Sequence, residues 1–130
     1  MSNKAPIKHT LDHNSGQHTV TVGPMRVMVV PDGEYWFAQG LEVDYFAEGT
    51  SVEHALQMFV DGLAMTIGEH LKMYGDVTKL TIPAPPHVWD EFFANARSGK
   101  LKEVAAGSQP DLPGANLPFS GAAVYQQVAA

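Results

Sequence analysis

The chain contains no cysteine, which excludes disulfides, thiol nucleophiles and thiolate metal ligands and leads us to expect a cytoplasmic protein. Positive charge is scarce: 8 Lys and Arg stand against 14 Asp and Glu, a formal net charge of -6. The basic residues are scattered apart from Lys100 and Lys102, so the phosphate-neutralising patch that nucleic-acid binding normally needs is missing. No apolar run approaches membrane-spanning length, and Lys4, His9, Asp12 and His13 break up any apolar signal core at the amino end. Glycine-rich phosphate loops are absent, and no serine sits in a nucleophile elbow. Glu69-His70 is followed by Met73 and Tyr74 where a zinc-binding helix would need a second histidine.

What is present is one run of alternating periods. Both tryptophans and every phenylalanine except Phe119 lie between Trp36 and Phe93, so the middle of the chain supplies the core. MRVMVV and EYWFAQGL flank a Pro31-Asp32-Gly33 turn and read as a β-hairpin. On the second strand Tyr35, Phe37 and Gln39 share one face and Trp36 and Ala38 the other, so both faces of the sheet need cover. Phe46 to Glu48 gives a short third strand. Gly49 is expected to turn the chain with positive φ, and Thr50 or Ser51 caps a helix with Glu53 in its first turn. Val52, Leu56, Phe59, Val60, Leu63, Ile67 and Leu71 form one helical stripe, and Gly75 stops it. Gly62 and Gly68 are small enough to allow close approach of a neighbouring element.

A fourth, edge strand is expected over Val77 to Ile82, then a helix from Pro86 to about Ala96 beside the sheet. The fold class is therefore α+β: a small antiparallel sheet in β-β-β-α-β order packed on one long helix, with a second short helix. We place a polar arm over residues 1–23, a single domain over 24–99 and a flexible or irregular tail over 100–130. Within that tail, Phe119 to Val128 is the part best suited to dock or pair as a strand.

The segment from Met25 to Leu71 resembles the HicB-like antitoxin domain. Matching positions are Tyr35 and Trp36 in the aromatic strand and Gly49, Ser51, Val52, Glu53, Ala55 and Leu56 at the helix start. The resemblance covers roughly a third of the chain and implies a partly degenerate ribonuclease-H-like sheet, self-association and, in antitoxin members, a small basic RNA-cleaving toxin as partner. Many members carry a C-terminal DNA-binding domain. After Gly99 this sequence shows neither a ribbon-helix-helix nor a helix-turn-helix pattern, so a stand-alone member is expected. Pro110 to Gly114 spells the family's inter-strand link but lies in the tail, away from that position.

These readings favour a non-enzymatic, protein-binding homo-oligomer that engages a basic partner through Glu42, Asp44, Glu48 and Trp36. Gly49, Ser51, Glu53, Phe59 and Leu63 serve the scaffold, and no cofactor or metal is assigned. One alternative is a metal-dependent nuclease or phosphohydrolase, with Glu42, Asp44 and Glu48 clustered around a divalent ion. Another is a single-stranded RNA-binding protein that stacks bases on Tyr35, Trp36 and Phe37. His9, His13 and His18 are spaced loosely like ligands on a helix, but their segment has no helical stripe and reads as a polar tail.

Overall fold

The computed structural model describes residues 6–23, 25–105 and 122–127. It shows a mixed α+β fold, with two helices and seven strands in two sheets. Strands β3 (Met25–Asp32), β4 (Tyr35–Gly40) and β5 (Phe46–Gly49) form an antiparallel meander. Helix α1 (Val52–Tyr74) follows at once and lies across one face. Its buried residues are Ala55, Phe59, Val60, Leu63 and Ile67, while Val52, Leu56 and Leu71 of the expected stripe are partly buried against the same core. They meet Met25, Val27, Val29 and Ala38 in the main core.

Ser51 is the N-cap, and its hydroxyl accepts from the His54 backbone N–H at 3.0 Å. The reciprocal partner is His54, whose Nδ1 accepts from the Thr50 N–H at 2.9 Å, while Glu53 stays exposed in the first turn. Gly75 closes the helix at φ 78°. Gly49 works differently from the expectation: its φ is not positive. It is buried under the first turn of α1, where a Cβ would strike the backbone of His54 and Ala55. A Cβ at Gly62 would likewise overlap the Tyr45 hydroxyl, whereas Gly68 has open space around it.

Three segments differ from the expectations. Residues 77–82 do not form a strand. They hold a 3₁₀ turn, Thr78–Leu80, because Asp76 accepts from the Thr78 N–H at 3.1 Å and the Thr81 hydroxyl donates to the Val77 carbonyl at 3.0 Å. Such local side-chain bonds compete with a strand ladder. Two strands fall beyond Gly99, where a tail was expected: β6 (Leu101–Ala105) and β7 (Ala122–Gln127). The latter lies inside the window singled out for pairing and runs parallel to β3, giving the order β5-β4-β3-β7-β6. At the amino end, β1 (Ile7–Asp12) and β2 (Gln17–Val22) form a hairpin of their own. It buries Ile7, Val20 and Val22 in the main core, while its other strand residues are exposed or half-buried.

Helix α2 (Pro86–Arg97) begins with Pro86 in its first turn and covers the opposite face of the sheet. Phe92, Met28 and Leu41 form a second core there, with Val30, Val88, Trp89, Leu101 and Tyr125 packed around them. This accounts for the large side chains on both faces of β3. Among the described residues, the β4–β5 end of that face is left open.

Candidate functional site

Strand alternation decides which residues meet at the open end. Trp36 pairs with Gly49 and Ala38 with Ala47, and these residues point toward α1. Phe37 pairs with Glu48 and Gln39 with Phe46, and these point the other way, toward the face that α2 partly covers. Trp36 is thus half-buried against the main core rather than displayed beside Glu48. The aromatics on the open face are Tyr35, 51% exposed, and Phe46, 59% exposed. The rings of Phe46 and half-buried Phe37 stack at 5.2 Å with an interplanar angle of 28°. β5 is also the last strand of its sheet, so the pair sits at an edge.

A groove of about 290 Å³ opens beside this stack, between the sheet and α2. Met28, Val30 and Phe37 give it an apolar floor, and Gln39, His87, Val88 and Glu91 complete its lining. Gln39, only 7% exposed, is held by two bonds from its Nε2: to the Gly40 carbonyl at 2.8 Å and to the Asp44 carboxylate at 3.0 Å. That bond is what ties exposed Asp44 to the groove.

Glu42 belongs to a different constellation. Its Oε2 accepts from Arg26 Nε at 2.8 Å and its Oε1 from the Arg26 backbone N–H at 2.7 Å. The Arg26 guanidinium lies 4.8 Å from the Trp89 ring centre and 5.6 Å from that of Phe92. Strand β3, the 41–44 loop and α2 are pinned together by this contact. Of the three acids expected to cluster, Glu42 is engaged as a structural partner, Asp44 braces Gln39 and Glu48 stands on the edge strand. No group of three or more His, Asp or Glu side chains is placed to hold a metal ion among the described residues.

Sequence reasoning missed Phe46 and the groove. Phe46 stands in a strand of four residues, too short for its alternation to declare a face. The groove depends on where α2 lands. A charge signal was legible: from Val27 to Leu71 the sequence carries eight acidic residues and no lysine or arginine. Strands β4 and β5 both lie in that interval, so neither strand brings a lysine or arginine to the open face. Among the described residues no helix is long and apolar enough to cross a membrane.

Comparison of the chain with family models, with curated proteins and with solved structures gives no match.

Proposed function

We propose that this is a cytoplasmic, non-enzymatic protein-binding module of the HicB-like type that engages a small basic partner on its open sheet face. The observation that carries the reading is the Phe37–Phe46 stack at a strand edge, with Phe46 exposed and Phe37 half-buried, flanked by Glu48, Asp44 and Glu91. An exposed aromatic ring backed by a second one offers an anchor of the kind found at binding hot spots. Acids without nearby cations select a positively charged partner and speed its approach. The strand arrangement supports the family component: three antiparallel strands, a long helix, and a later strand parallel to the first. Self-association belongs to the same reading, because the outer edge of β5 is left without a strand partner among the described residues.

Selection of random displayed peptides on the immobilised protein tests this reading. Enriched peptides should combine Arg or Lys with an aromatic or long aliphatic residue. Their binding should weaken with added salt and fall in both Phe46→Ser and Glu48→Lys variants. No enrichment, or peptides indifferent to both substitutions, would overturn the proposal. Retention of uridine oligonucleotides at low salt, lost in the Phe46→Ser variant, would replace it with the RNA-binding reading.

A further inference from the structure

The three amino-terminal histidines are separated by the hairpin fold. His13 lies in the β1–β2 turn, while His9 and His18 come together across the two strands. In the register His9 faces Val20 and Leu11 faces His18, so the histidines are diagonal neighbours on the face that carries Ile7, Val20 and Val22. They stand where that face leaves the core. His9 Nε2 is 2.7 Å from His18 Nδ1, with ring centres 5.0 Å apart and planes 17° from parallel. Two ring nitrogens this close share one proton between them, one donating and the other accepting.

His9 also lines a cavity of about 440 Å³ between the hairpin and the end of α1, with Ile7, Asp76, Val77, Thr78 and Thr81 as the other walls. This space separates the hairpin from the 3₁₀ turn. It brings a carboxylate and two hydroxyl groups to the same cavity as an imidazole.

We infer that the His9–His18 pair is a chelating site for a divalent transition-metal ion of the copper, nickel or zinc type. Imidazole suits these ions, and paired neutral rings supply two strong donors without a thiolate. Metal–nitrogen bonds of about 2.0–2.1 Å place adjacent donors about 2.9 Å apart at a right angle and about 3.4 Å apart in a tetrahedron. The present separation is nearer the first value, so square or tetragonal coordination by copper or nickel needs the smaller opening. On binding, both facing lone pairs turn to the metal. The proton between them moves to the outer nitrogen of the ring that carried it, so the neutral pair binds with no net proton release. Water fills the remaining positions, and Asp76, on the wall of the same cavity, adds a negative charge that favours the cation. The site shares none of the residues of the Phe37–Phe46 face, so it stands or falls independently of the proposed function.

The test is titration of the untagged full chain with copper(II) at neutral pH, followed by calorimetry and electron paramagnetic resonance, with zinc(II) as the diamagnetic probe for ring-nitrogen NMR. One ion per chain should bind with two nitrogen ligands. Affinity should fall about tenfold or more in His9→Ala and in His18→Ala and stay level in His13→Ala. In the unmodified protein zinc should shift the ring nitrogens of His9 and His18, a readout that needs no variant to fold. Undiminished affinity in the His9→Ala/His18→Ala double variant, or unmoved His9 and His18 nitrogens at millimolar zinc, would overturn the assignment and leave a simple histidine hydrogen bond.

Discussion

Phe59 is 1% exposed and Leu63 fully buried, each in the middle of the α1 stripe against the sheet. Replacing either by alanine should cost about 2–5 kcal/mol, from lost transfer energy plus the cavity left behind. Denaturant unfolding measures this, and a cost well under that range at both sites would mean that the core has been misplaced. The acids separate in the same assay. From sequence, amide substitution at Glu42 and at Asp44 is expected to cost far less than alanine at Phe59 or Leu63. The structure distinguishes them, because Glu42 binds both the side chain and the backbone of Arg26. Glu42→Ala should cost about 1–3 kcal/mol as a charged hydrogen-bond partner is lost. Asp44→Asn, at an exposed residue whose amide can still accept from Gln39, should change stability by about 0.5 kcal/mol or less. At this scale the sequence was legible for Phe59, Leu63 and Ser51, whose roles follow from period and capping. It was not legible for Glu42 or Trp36, because nothing local says which face α2 will cover or which arginine a glutamate will meet.

Among the elements, long periodic segments were readable and short ones were not. Helix α1 and the β3–β4 hairpin carry enough repeats for the apolar period to define them. Strand β7, by contrast, is Ala-Ala-Val-Tyr-Gln-Gln, with little β-branched or aromatic content. It is a strand because β3 and β6 pair with it on either side. Residues 77–82 carry the opposite lesson: Val, Thr, Leu and Ile suggest a strand, and the local bonds of Asp76 and Thr81 prevail. The position of β7 between β3 and β6 gives a direct prediction. A chain ending at Gly99 loses both carboxyl-terminal strands and uncovers one edge of β3. It should lose cooperative thermal unfolding or melt well below the full chain. An equal melting temperature by circular dichroism would show that residues 24–99 are self-sufficient, the boundary expected from composition. The cap gives a finer test: Ser51→Ala should cost about 1 kcal/mol by removing the acceptor of the His54 N–H.

For the whole molecule, the two-sided hydrophobicity of the sequence calls for cover on both faces of the sheet. Helix α2 supplies most of that cover on the face opposite α1, so any self-association rests on the edge of β5 and its exposed Phe46. Sedimentation across a wide concentration range should show a reversible dimer that weakens in Phe46→Ser; a monomer at every concentration would remove this part of the proposal. The acid-flanked face lies at the same end of the sheet, and partner binding there is open to direct mapping. The measurement is a backbone amide NMR titration of the protein with a short peptide that carries arginines around one aromatic residue. Concentration-dependent shifts should centre on Phe37, Phe46, Glu48, His87 and Glu91 and be reduced by salt. Shifts confined to the outer surface of α1 or to the β1–β2 hairpin, or none at millimolar peptide, would contradict binding at that face.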